Sequence, residues 1–591
     1  MCTQCDYLPL DRIERRVAKN SSHEVVEAPR KTRAARRPFW RSLWFRVAAI
    51  VVVAGLAAFS VAAVYIARHA EPILRRSVVA NLSKRFHSPV ELDHLDISVA
   101  RVLQVRGSGL RILYVAGPTQ PSQQPNAPML SVRSFTFRVS LRELLHLHAD
   151  ITTVHVDGMD LHIPPHRNGL GLLDDSGEAK SSTQPRIVLF VDHILCHNAR
   201  IFIETTPKPG GPPKDPLEFD ITNLDLTNVG QGQPMLYQAD IINPRPRGDV
   251  RATGHFGPWV GADPRSTPLD GDYTFQNADL NTIKGLGGIL SSVGHFSGQL
   301  GNITIDGTTD TPKFSLDVSN HPMPLTTSFH AFVDGTSGDT TLAPVQATLG
   351  RSQFTAAGTI MRVKGKGHDI ALTVAMPHGR IEDLLELGVK TQPPVMSGTV
   401  TMHARVHIPP GDARVAAKLE LAGNLDITGV EFSNAKLQDR IDGLSMRAQG
   451  KPKDVKAADS DGRAEVASEM AVTFTLGHEL MTVSSLNYEV PGAKVALDGV
   501  YSLDGNIFEF KGHVRTDATA SQMLTGWKSV LVKPFDDLLK KNGAGVELPI
   551  ELSGAKGDIK FGLAMHDANE TPADMAADLK AKRQVKKDSD K

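Results

Sequence analysis

The sequence predicts a mainly β protein: a single N-terminal transmembrane helix followed by an elongated, curled antiparallel β-sheet, groove-like, with a few short helices. Three observations predict it. One uncharged apolar stretch runs from Val47 to Ile66, a basic arm precedes it, and the chain after Val90 alternates apolar and polar residues with a period of two. As a helix, a stretch of about twenty residues just crosses the hydrocarbon core of a bilayer. No later segment repeats it.

The arm carries Arg30, Lys31, Arg33, Arg36, Arg37, Arg41 and Arg46 immediately before the apolar stretch. By the positive-inside rule it stays in the cytoplasm and the body lies outside. Arg68, Arg75, Arg76, Lys84 and Arg85 on the far side weaken that asymmetry without reversing it. Ala67-Arg68-His69 is a poor cleavage site, so the reading is an uncleaved signal anchor.

After the anchor, Glu71 to Phe86 places Leu74, Val78, Leu82 and Phe86 every four residues, an amphipathic helix that packs on the body or lies on lipid. The strands follow: Leu95, Ile97 and Val99; Phe135, Phe137 and Val139; Val154 and Val156; Leu161 and Ile163; Ile201 and Ile203; Ile303 and Ile305; Val495 and Leu497. Asp-Gly pairs at 157, 270, 306, 334, 442, 498 and 504 suit tight hairpins. Short helices are expected at Leu141–His148, Arg380–Leu387, Ser521–Val532 and Pro534–Lys541, and a Gly-rich apolar turn at Leu280–Val293. Pro207 to Pro216 reads as one of several linkers. The divisions are residues 1–46, a disordered cytoplasmic arm; 47–66, the span; 67–175, an N-terminal region of amphipathic helix plus strands; 185–515, a repeating β ladder; 516–565, C-terminal helices and closing strands; and 566–591, a disordered charged tail. About twenty to twenty-five strands stacked ~4.8 Å apart make a sheet on the order of 100 Å long.

Composition narrows the function. Across 591 residues, 65 basic and 65 acidic residues give a formal net charge of zero, which argues against general nucleic-acid binding. Aromatic residues, at 6%, are too sparse for base- or sugar-stacking platforms. Cys2 and Cys5 form a lone C-x-x-C without zinc or redox context, and Cys196 has no partner, so the fold does not depend on disulfides.

None of the 22 histidines stands in a metal-ligand spacing. His403 and His407 lie on an alternating strand rather than a helix, and His478-Glu479 lacks the second histidine of a zinc-protease helix. No G-x-S-x-G elbow, P-loop or localised carboxylate pair occurs. The reading is therefore not an enzyme: no catalytic residues, no metal and no cofactor.

Several segments in order resemble a known family. Arg85 to Val90 with Leu92 follows the anchor and helix; then come a strand with Gly107, Gly109 and Leu110, the segment Phe137 to Leu145, and Ile151 to Pro164. These resemble the N-terminal region of the AsmA-like proteins of Gram-negative bacteria, although Arg167 to Gly171 matches only loosely. Leu300 to Leu316 and Val546 to Phe561 look like the family's repeating and C-terminal regions. The resemblance covers most of residues 45–565 and rests on pattern and order, without an invariant chemical motif. It implies an inner-membrane anchor, a periplasmic β-groove akin to bridge-like lipid-transfer proteins, phospholipid as partner, and support of outer-membrane lipid homeostasis and envelope integrity.

An antiparallel sheet with one apolar face must cover it with helices, a second sheet or a ligand. The candidate groove lining is Leu95, Ile97, Phe135, Phe137, Val154, Val156, Leu161 and Ile163. The alternative is a structural or assembly factor for envelope proteins, with these residues packed in a closed β core and no lipid cargo.

Overall fold

A computed structural model describes residues 47, 50–58 and 60, then 75, 76, 78–80, 82 and 83, and 88–99, 103–113, 128–139, 148–163, 188–205, 211–229, 233–260, 263–451, 467–503, 508–524, 533, 545–555 and 558–563. The chain divides into two units, Met1–His69 and Ala70–Lys591. In the first, the described residues are helical and exposed, with Ile50 at 67% and Leu56 at 60%. Among the described residues no helix is long and apolar enough to cross a membrane. The expected span Val47–Ile66 is thus helical where described, and its remainder lies outside the described residues.

The second unit is mainly β, a curled half-barrel sheet with few helices. Its strands are β1 (Val90–Glu91), β2 (His94–Val99), β3 (Leu103–Leu113), β4 (Pro128–Val139), β5 (His148–Ile163), β6 (Val188–Ile203), β7 (Leu217–Thr227), β8 (Met235–Pro244) and β9 (Arg247–Phe256). They continue with β10 (Pro268–Asp279), β11 (Leu286–Gly287), β12 (Ile289–Gln299), β13 (Asn302–Leu316), β14 (Met323–Val333), β15 (Thr340–Leu349), β16 (Ser352–Val363) and β17 (Gly367–Arg380). The last are β18 (Met396–Ile408), β19 (Glu420–Phe432), β20 (Glu469–Gly477), β21 (Leu480–Val490), β22 (Ala493–Ser502), β23 (Phe508–Thr516), β24 (Glu547–Ala555) and β25 (Asp558–Leu563).

Apart from the two-residue β1 and β11, each strand pairs with the next in sequence, so β2 to β25 form one uninterrupted ladder. Among the described pairings all are antiparallel except β5–β6. The contour of the ladder is about 105 Å at ~4.8 Å per step. All the described strands, β1 and β11 included, belong to one 25-stranded sheet, so among the described residues there is no separate second sheet.

Two helices of eight or more residues sit between strands, along with a single helical turn at Val415–Lys418 between β18 and β19. Helix α1 (Ile381–Gly388) joins β17 to β18, as its apolar spacing predicts. Helix α2 (Ala435–Ala448) joins β19 to β20, capped by the Asn434 side chain, which accepts from the Leu437 N–H at 3.2 Å. Because α2 contains Asp442-Gly443, the expected hairpin there is corrected to helix. Both helices lie at the same ends of the strands and cover a buried cluster of Met376, Val400, Ile427, Val430, Met470 and Tyr488.

The expected Gly-rich turn at Leu280 resolves into a 3₁₀ turn (Leu280–Thr282), then β11 and β12. Residues 141–147 and most of 521–541 lie outside the described residues, while Ser521–Leu524 are turn and bend rather than helix.

Candidate functional site

Residues directly opposite in a ladder share a face, and successive residues alternate. Following the register from strand to strand therefore traces single rows across the whole sheet. One row begins Ile97–Val105–Phe137–Val154–Ile194–Leu226–Tyr237. It continues Gly254–Gly271–Phe296–Ile305–Ala331–Leu342. Next come Gly358–Leu372–Val406–Leu421–Leu476–Met481, and it closes on Tyr501–Phe508–Gly554–Ile559. Every member is apolar, glycine or tyrosine. No charge interrupts it from β2 to β25.

The adjacent row on the other face reads Asp96–Arg106–Thr136–His155, and further on Asp272–His295–Asp306–His330. Two of its histidines meet aspartates: His295 Nδ1 lies 2.9 Å from Asp272 and His330 Nδ1 2.7 Å from Asp306. On the same face His407 bridges Glu420 at 2.8 Å and Asp369 at 2.9 Å. The two carboxylates hold the His407 imidazolium, raising its pKa against a small opposing effect of burial. Among the described residues no three His, Cys, Asp or Glu side chains are placed to hold a metal ion.

The apolar face is half-buried along much of its length. In β17, Ile370, Leu372 and Val374 are intermediate while Ala371 and Thr373 between them are exposed, and β13 and β14 alternate in the same way. A core sealed by a second layer would be buried at those positions. The covered parts are local: α1 and α2 shield the rows near one set of strand ends, and the helical residues Val78, Val79 and Leu82 pack on β1 to β4.

All eight predicted lining residues lie on this face. Ile97, Phe137 and Val154 belong to the traced row. Phe135 lies over Gly107, where a Cβ would be 2.1 Å from its ring, and stacks parallel to Phe137 at 6.2 Å. Leu161 pairs with Leu130 and Ile201, and Ile163 with Ile203. Leu95, at 2% exposure, is packed beneath Val78 and Val79, and Val156 is buried beside Cys196 and Leu224. These two support the floor rather than line open space.

The strand ends form two rims, and two clasps join opposite rims. In the first, the segment 211–216 before β7 meets the β14–β15 and β16–β17 turns. Lys214 Nζ donates to Asp339 Oδ1 and to the Arg362 carbonyl at 3.3 Å, with the Lys214 side chain 1% and that of Asp339 9% exposed. The Lys364 N–H donates to the Pro213 carbonyl at 2.7 Å and the Gly365 N–H to Asp215 at 2.6 Å. In the second, the Val415 N–H donates to the Lys284 carbonyl at 3.0 Å, and exposed Arg414 reaches Asp317 at 3.2 Å. The expected linker Pro207 to Pro216 thus carries the first clasp where described, and a lysine among prolines is its only local signal.

Glycines on the inner face let neighbouring strands approach closely, at β9 to β13 among other places. There Gly254, Gly271, Gly294 and Gly307 face inward, and a Cβ on each would fall within 3.0 Å of a carbonyl on a neighbouring strand.

No family model, no curated protein and no solved structure matches this chain.

Proposed function

We propose that this protein binds or passes the acyl chains of phospholipids along the apolar inner row, as a membrane-anchored protein of the cell envelope. On this reading its body lies in the periplasm and supports outer-membrane lipid homeostasis, as the resemblance to AsmA-like proteins implies. The observation that carries the reading is the uninterrupted apolar row from Ile97 to Ile559, half-buried along much of its length, in a body whose described strands form a single sheet. Each methylene shielded from water contributes about 0.8 kcal/mol. Where successive sites offer the same apolar contact, a chain moves along the row with little net change in free energy.

Support for the anchor comes from the first unit. Its described helical residues expose Val47, Ile50, Val51, Val52, Val53 and Leu56, surface that water disfavours and a bilayer accepts.

The test places a photo-crosslinking amino acid at Leu372 or Val406 on the inner face, or at Thr373 or Arg405 on the outer, in the full-length protein in cells. Phospholipid captured from the inner positions and not the outer ones is the expected outcome. Equal capture from both faces, or none from the inner one, overturns the reading.

A further inference from the structure

The two clasps change what a groove of this kind can let through. In the ladder, β7 and the β14–β15 turn are separated by seven strand steps, some 34 Å if the sheet were flat. Yet a Cβ on Gly338 of that turn would lie 3.0 Å from Leu217 Cδ2 at the start of β7. The eight strands from β7 to β15 therefore bend round until opposite rims touch. Among the described residues no pairing joins β7 to β15, so this stretch is a groove closed across its rims by the clasp rather than a hydrogen-bonded barrel.

Here the inward row over that stretch is Tyr237, Gly254, Gly271, Phe296, Ile305 and Ala331. With Leu226 and Leu342 at its ends, the larger side chains of this row, Tyr237, Phe296 and Ile305 among them, are half-buried rather than sealed, so apolar surface stays open to something slender. A phosphate-bearing head group carries charge that must stay hydrated, and at the clasp the segment Pro213 to Pro216 bridges from one rim to the other.

We propose that the clasped stretch from β7 to β15 admits an acyl chain but excludes a polar head, so that a phospholipid passes only when the Lys214–Asp339 clasp opens. The proposal rests on the lipid-carrying reading above. The clasp is built to hold and yet to part. Its ion pair is buried, but Asp339 Oδ2 and Arg362 Nη1 are buried without a hydrogen-bond partner, so closure leaves polar groups unsatisfied. The second clasp relies on an exposed arginine and backbone bonds, and an exposed ion pair contributes little.

The experiment uses the full-length protein with Cys2 and Cys5 changed to Ser and photo-crosslinkers at Val154, before the clasp, or Val406, beyond it. Pro213→Cys and Lys364→Cys, bridged by a short bis-maleimide, lock the rims. The expected result is phospholipid capture at both positions in the unbridged protein, and capture retained at Val154 but lost at Val406 after bridging. Undiminished capture at Val406 in the locked protein overturns the gate and leaves the groove standing. Capture at neither position in the unbridged protein overturns the groove and the gate with it. Independently, spin labels at 213 and 364 should give one short distance, broadened in K214M/D339N; an unchanged distribution shows that this pair does not hold the rims.

Discussion

Tyr237 lies across Gly271: a Cβ on Gly271 would fall 2.7 Å from the tyrosine hydroxyl oxygen and 2.5 Å from the Thr253 carbonyl oxygen. The ring covers the strand where no side chain fits, and the strands converge beneath it. Curl and floor are thus made by the same residues, because a sheet can bend this tightly only where its inner face lacks Cβ atoms.

Gly271→Ala should therefore loosen the centre of the curl. Overpacking of this kind costs about 1–3 kcal/mol, and the Thr253 carbonyl, being backbone, cannot rotate aside. Hydrogen exchange read strand by strand should show β9 to β12 exchanging faster. Gly388→Ala, where nothing lies within 4 Å, is the control and should leave exchange unchanged. Equal behaviour of the two variants would show that the inner face has slack.

A second prediction separates covered floor from open floor. Met376 is 1% exposed under α1, while Leu372, two pairs away on the same face, is half-buried. Met376→Ala should cost about 2–5 kcal/mol. Leu372→Ala removes a side chain already partly in water and should cost clearly less. Urea denaturation of both variants checks this, and equal losses would mean that the inner face is sealed along its length.

The alternation was legible in the sequence because a two-residue period survives any amount of curl, and every predicted strand quoted above falls in a strand. The turns were less legible. Asp270-Gly271, Asp306-Gly307 and Asp498-Gly499 lie inside β10, β13 and β22, not at hairpins, whereas Asp334-Gly335 is in a turn. In the strands the same period explains the pair: Asp faces outward, where Asp270 meets His255 at 2.9 Å, and Gly faces the crowded interior. Helix α2 had a usable signal, Asn434 as cap with Leu437, Ile441, Leu444 and Ala448 on one side. Beyond a lysine among prolines the clasps had none, since they join residues about a hundred or more positions apart.

The outer face supplies a pH test. His407 is held protonated by Glu420 and then Asp369, so its folded pKa stands above the ordinary 6.5. A raised value means the contribution is fully present below about 6.5 and is lost as pH rises through the folded value. His407→Gln should therefore cost more stability at pH 5.5 than at pH 9. The side chain is 44% exposed, so the gap should be small and shrink with added salt. A gap that is equal at both pH values would remove the bridge from any account of stability.

Cys196 offers the simplest probe of whether the inner face opens. It is 1% exposed, unpaired, and sits between Val156 on β5 and Leu224 on β7. Burial, with the Asp157 charge adding to it, pushes its thiol up to about 11. Since the thiolate is the reactive form, only about one molecule in a thousand is ionised at pH 8, and that sulfur is shielded from reagent. With Cys2 and Cys5 changed to Ser, an iodoacetamide reagent should leave the native protein unlabelled over hours and label it fully in denaturant. Labelling of the native protein at the rate of a free thiol would show β5 to β7 parting from the residues packed on them.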